Sequence, residues 1–200
     1  MTDRIKLSFS AAIALGVIYY LLDISQLLAL MMAIVVHELG HVLALRSQGL
    51  RISCFRLELR GLCMDYRGQT GAWGSAFAAA AGPALGLIYA YGMSLLSDAR
   101  PSQWLDLTAG ISLLLSLFNL LPALPLDGGR IIWELASSRL DICRAERLMS
   151  ALGFGTGLLL MILGYVSMAK RMGIAPMLAG VWILLYQKNG EGLVKVREIL

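Results

Sequence analysis

Apolar residues run through this chain in long blocks, and the polar positions fall between them. Six blocks approach the roughly 17–25 residues that a helix needs to cross a bilayer core about 30 Å thick. They are Leu7–Leu22, Leu27–Leu45, Ala72–Leu96, Leu105–Leu121, Ala151–Ala169 and the shorter Ile174–Tyr186. The first is not a secretory signal, because no Ala-x-Ala-like site follows it and the second block starts almost at once. The few residues around Asp23 make these two an antiparallel pair. Two further segments follow other periods. In Leu50–Arg67, Arg51, Ser53 and Glu58 alternate in part with Ile52, Leu57 and Leu59, and Gly61 sits where a turn would fall. This spacing predicts a β-hairpin. Gly129–Met149 interleaves Ile131, Ile132, Leu135, Ile142 and Leu148 with Arg139, Arg144, Glu146 and Arg147, as an amphipathic helix on a membrane surface does. The pattern therefore predicts an all-α membrane protein forming a single integral-membrane domain over residues 1–200. Its six transmembrane helices carry a small β-hairpin between the second and third and the surface helix between the fourth and fifth.

Charge fixes the orientation. Lys and Arg prefer the cytoplasmic side of short loops. With the N-terminus inside and six alternating spans, 14 of the 17 basic residues fall inside, and Arg100, Lys170 and Arg171 fall outside. Both termini, the hairpin and the surface helix are then cytoplasmic. This bias accounts for most of the net charge of +4 without a nucleic-acid partner. Hydrophobic residues make up 58% of the chain and charged residues 15%, which excludes disorder and an ordinary soluble enzyme. Cys54, Cys63 and Cys143 contain no CxxC, so neither a disulfide scaffold nor a cysteine zinc site is expected. The short tails suit a prokaryotic cell membrane.

The second block contains His37-Glu38-Leu39-Gly40-His41. Two histidines at i and i+4 share one helix face, so their imidazoles can converge on one metal ion. Glu38, beside the first ligand, can reach a metal-bound water without being a ligand itself. This is the HExxH arrangement of zinc metalloproteases. Zinc lowers the pKa of bound water to about 7, and Glu38 would take the proton during attack on a carbonyl. A bare HExxH arises by chance in soluble proteins. Here a mid-span carboxylate costs at least about 2.5–3.5 kcal/mol on insertion scales and needs a compensating reason. The two histidines of the motif are also the only ones in the chain. They precede Arg46 by five and nine residues, which places them roughly 7–14 Å below the inner surface at about 1.5 Å per residue.

A catalytic zinc usually takes three protein ligands and leaves a fourth position open. With no third histidine, the candidate is a carboxylate or a cysteine. The fourth block ends in Asn119-Leu-Leu-Pro122-Ala-Leu-Pro125-Leu-Asp127-Gly128-Gly129-Arg130. The second and fourth spans run in the same direction, so their inner ends are level. Two prolines break the helix there, and paired glycines let the backbone turn tightly. Asp127 has the right level and surroundings for the third ligand. The alternative is a surface turn in which Asp127 caps the following helix.

HELGH in the second span, together with Asn-x-x-Pro-x-x-Pro-Leu-Asp-Gly-Gly-Arg in the fourth, resembles the site-2 protease family of intramembrane zinc metalloproteases. Ala81-Gly82-Pro83 in the third span also resembles that family's pattern. The resemblance implies zinc held by His37, His41 and Asp127, with Glu38 as general base. It implies that Asn119 positions substrate or stabilises the developing oxyanion; a helix–helix hydrogen bond is the other reading of Asn119. The compact six-span form most resembles the stage IV sporulation protease branch, which cleaves a membrane-tethered pro-sigma factor. No PDZ domain fits between the spans, and the CBS domain that the branch often carries is not expected.

Other features have plainer readings. Gly82 with Gly86, and Gly153 with Gly157, have the GxxxG spacing of close helix packing. Met31, Met32, Met161 and Met168 suit lipid or core contacts. The hairpin suggests a substrate clamp: an unwound segment could add to a strand edge near Ile52, Leu57 and Leu59. The expected function is an intramembrane zinc endopeptidase that cleaves a membrane-anchored regulatory protein in or near its transmembrane segment. A homo-oligomer or a regulatory membrane partner stays open. A metal transporter or metal-binding module using the same ligands is the competing reading; it would tolerate loss of Glu38.

Overall fold

The computed structural model describes residues 5–7, 20, 22–58, 61–68, 70–171 and 173–188, with 5–7, 51–58 and 61–67 described as backbone only. The elements are strand β1 (Ile5–Leu7), helix α1 (Ile24–Ser47), strands β2 (Arg51–Glu58) and β3 (Gly61–Arg67), and helices α2 (Ala72–Ala99), α3 (Gln103–Asn119), α4 (Asp127–Ser137), α5 (Ile142–Ala169) and α6 (Ala175–Lys188). Contacts group them into two compact units, Met1–Phe118 and Asn119–Leu200.

In the first unit, α1 begins at a reciprocal cap. The Asp23 carboxylate accepts the Gln26 backbone N–H at 2.8 Å, and the Gln26 side chain accepts the Asp23 N–H at 3.3 Å. This satisfies two N–H groups that the first turn would leave without partners. At the other end, Gln48 donates to the carbonyls of Ala44 and Gly74, each at 3.1 Å, and accepts from the Thr70 hydroxyl at 2.8 Å. That network fastens the end of α1 to the start of α2. The two helices meet backbone to backbone at Gly40, where a Cβ would run into the Ala81 carbonyl and lie 2.9 Å from the Gly82 Cα. Helix α3 packs through small hydroxyls: Ser112 donates to the Gly86 carbonyl at 2.9 Å, and Thr108, Ser112 and Ser116 are fully buried.

The predicted hairpin segment forms two antiparallel strands, with Arg51 opposite Arg67 and Glu58 opposite Gly61. The sheet is larger than expected. β1 pairs in parallel with β2, Ile5–Leu7 against Phe55–Leu57, so β2 is the central strand. Leu7, expected to open the first span, is instead the last residue of β1. Ile5-Lys6-Leu7 alternates apolar and charged positions, a strand period that the long apolar run after it obscured. Residues 8–19 and 21 of that first span, Leu59 and the chain beyond Lys188 lie outside the described residues.

In the second unit, the segment expected to be one surface helix is two elements. Helix α4 ends at Ser137, and α5 starts at Ile142 after the Asp141 N-cap, then runs without a break to Ala169. Ser138 and Asp141 are residues that favour helix ends, because their short polar side chains compete with helical hydrogen bonding. Leu124, Trp133, Ala145 and Met149 form a buried cluster that seats α4 on α5. Helices α5 and α6 are in contact where Gly157 faces Leu184 and the Gly180 carbonyl.

Three described helices, α1, α2 and α5, are long and apolar enough to cross a membrane. Helices α3 and α6 have 17 and 14 residues. At about 1.5 Å per residue they fall short of a core about 30 Å thick. Six full spans are thus not what the described residues show. Exposed apolar side chains cover the long helices, among them Leu28, Leu39 and Leu43 on α1, and Phe154, Leu158 and Ile162 on α5. The chain is a multi-pass membrane protein whose outer residues suit lipid.

Candidate metal centre

His37 and His41 are both buried, at 4% and 9% exposure. The helix places them one turn apart on one face, and their Nε2 atoms lie 3.2 Å from each other. The rings stand nearly perpendicular, at 78°. His41 Nδ1–H donates to the Ala78 carbonyl of α2 at 2.8 Å. That bond holds the proton on Nδ1 and turns the Nε2 lone pair toward His37. Two ligands at zinc–nitrogen distances of about 2.0–2.1 Å and a tetrahedral angle stand about 3.3 Å apart. The observed separation fits one ion shared by the two imidazoles. A carbonyl behind a ligating histidine is also the usual way its tautomer and ring angle are fixed.

Gly82 of α2 lies directly behind His41. A Cβ there would overlap the imidazole, coming within 2.8 Å of Cδ2 and closer to Cε1 and Nε2. Gly86, one turn on, lies behind His37, and a Cβ there would stand 3.8 Å from Nδ1. Glu38 is half-buried beside the first histidine.

In the second unit, α3 stops at Asn119, and the chain passes through Pro122 and Pro125 into α4. Asn119 is half-buried. Asp127 is the first residue of α4 and is buried at 6% exposure. Leu126 holds the N-cap position of that helix, and Asp127 stands in its first turn. The Asp127 carboxylate faces the Arg130 guanidinium at 3.7 Å across one turn. Gly128 and Gly129 let the turn close, because a Cβ at either would strike backbone, that of Leu120 and Leu121 or that of Ala123 and Leu124. Glu134, one turn beyond Arg130, has its carboxyl pushed above the ordinary value of 4.5 by burial, an effect that Arg130 partly offsets.

The side chains of Ile52 and Leu57 belong to strands described as backbone only. The edge they were expected to offer is partly taken: Phe55–Leu57 carries β1 on one side and β3 on the other. The alternating pattern gave the strand but not its neighbour, because β1 lies more than forty residues earlier in the chain. Sequence reasoning also missed the Ala78 carbonyl and treated Gly82 and Gly86 as general packing. A backbone carbonyl leaves no mark in a sequence; the glycine spacing did carry a signal, without saying what the glycines face.

The profile of peptidase family M50 matches residues 96–163. The Synechocystis protein sll0528, named as a candidate zinc metalloprotease, is 30% identical over 83% of this chain and 45% of its own length. Zinc metalloprotease MJ0392 of Methanocaldococcus jannaschii is 26% identical over 85% of this chain and 50% of its own length. The chain thus spans about half the length of these relatives. A solved structure, the site-2 protease from Methanocaldococcus jannaschii, superposes with a TM-score of 0.67 at 24% identity, covering 92% of this chain and 89% of that one. The chain thus shares its fold with that site-2 protease, matches peptidase family M50 over residues 96–163, and is similar to zinc metalloproteases over most of its length.

Proposed function

We propose that the chain is an intramembrane zinc endopeptidase that hydrolyses a peptide bond in or near the transmembrane segment of a membrane-anchored protein. The observation that carries this reading is the paired Nε2 atoms at 3.2 Å, with the His41 proton committed to Ala78. His37 and His41 hold the ion through Nε2. Asp127 supplies the third ligand: it is buried and it offers a carboxylate oxygen. Bound zinc supplies Lewis acidity and an acidified water.

The chain's own residues do the rest. Glu38 takes the proton of the attacking water and gives it to the leaving amine, which keeps charge balanced through the step. Asn119 offers an amide N–H to the oxygen that becomes negative as the carbonyl is attacked, where a fixed donor is worth more than in water. A helical substrate must unwind before attack, and the sheet at Arg51–Arg67 is where the unwound strand adds. Since β2 is central, the outer edge of β3, Gly61–Arg67, is the longer of the two edges among the described residues and the one proposed to take the strand. The motifs and the compact form support the stage IV sporulation branch as the nearest relative, and the distribution of Lys and Arg supports cytoplasmic termini.

The test uses purified chain in liposomes with single-span membrane-anchored substrates. Wild type cleaves, chelator stops cleavage and zinc restores it, and Glu38→Gln retains zinc and is inert. Metal flux across the liposome that survives Glu38→Gln would favour a carrier instead.

A further inference from the structure

We propose that Gly82, Pro83 and Gly86 of α2 form a cradle that positions the two imidazoles for metal binding, a role distinct from packing. The inference rests on the zinc reading above. The HExxH helix and α2 run antiparallel, so the i, i+4 pair His37 and His41 faces the i, i+4 pair Gly86 and Gly82 in reverse order. Each imidazole lies over a position with no side chain. At Gly82 the fit is absolute, since a methyl group would occupy the space of the His41 ring, including Nε2 itself. At Gly86 the nearest neighbour is the buried Ser116 hydroxyl, with His37 Nδ1 at van der Waals distance.

Pro83 acts through the backbone. It lies inside α2 and is fully buried. It has no N–H to give the Ala79 carbonyl, and its ring crowds that carbonyl, which weakens the helical hydrogen bonding of this turn. On the same turn, the neighbouring Ala78 carbonyl accepts the His41 Nδ1–H at 2.8 Å. Space behind the ring and an acceptor for its far nitrogen together fix where Nε2 points. These are positioning residues: none of them touches the ion.

The experiment is a zinc and cobalt(II) titration of the detergent-solubilised chain, read by bound metal and by the cobalt ligand-field spectrum. Gly82→Ala and Pro83→Ala are compared with Gly92→Ala, whose Cβ would meet nothing within 4 Å in the same helix. Both cradle variants are expected to weaken metal binding at least about 10-fold, the range seen when the groups behind a ligand are removed. They should also lose the intense tetrahedral cobalt band, while Gly92→Ala keeps both. Gly82→Ala is the harsher change; should it not fold, Pro83→Ala decides alone. Wild-type affinity and an unaltered cobalt spectrum in the folded cradle variants would overturn the cradle and leave the metal centre standing. Failure of wild type to bind either metal would remove the centre and the cradle with it.

Discussion

A carboxylate next to a metal ligand has two possible jobs, and Glu38 is assigned the proton-transfer one. It follows His37 directly, so it leaves the ligand face by about 100° on the helix and is half-buried where the histidines are buried. Glu38→Gln should therefore keep one zinc per chain and lower the cleavage rate by roughly 10²–10⁴, the usual contribution of a positioned acid–base group. Metal analysis alongside the rate separates this from loss of a ligand. Asp127→Ala should do the reverse and lose zinc first. The convergence of His37 and His41 was legible from residue types at fixed spacing, because a helix puts i and i+4 on one face; the roles of Glu38 and Asp127 are the ones these experiments decide. Asn119 was legible only through resemblance, since an asparagine near a helix end has many ordinary uses.

At the level of elements, period and length explain what could be read. Helices α1 and α2 follow from unbroken apolar blocks, and α5 was found from its second half only. Its first turns carry Arg144, Glu146 and Arg147, which read as surface until Asp141 shows where the helix starts. The β1 pairing was illegible, because a three-residue strand gains its identity from a distant partner. Packing between α5 and α6 gives a test. Gly157→Val should press on Leu184 and the Gly180 carbonyl and cost about 1–3 kcal/mol in thermal unfolding. Gly155→Ala on the same helix, where a Cβ meets nothing, should be neutral or mildly stabilising. Helix α4 adds a pH dependence. Burial raises the Glu134 pKa, so the folded chain holds a proton that the unfolded chain releases. Stability should then fall as pH rises from 4.5 through the raised value, and Glu134→Gln should flatten that part of the profile of melting temperature against pH.

For the whole molecule, the distribution of basic residues predicts an orientation with both termini on the inner side. All three cysteines fall on the inner side by that reading, and Cys143 is a free, exposed thiol. A membrane-impermeant maleimide should label the chain in inside-out vesicles and leave it unlabelled in intact cells. Labelling from outside would reverse the orientation and move the metal centre to the opposite face. The centre itself is best tested by zinc K-edge absorption on the purified chain. The account predicts one zinc with two imidazole nitrogens at about 2.0–2.1 Å, the remaining ligands oxygen and no sulfur, and loss of zinc from His41→Ala and Asp127→Ala. A sulfur shell at about 2.3 Å, or zinc retained at full affinity by Asp127→Ala, would contradict it.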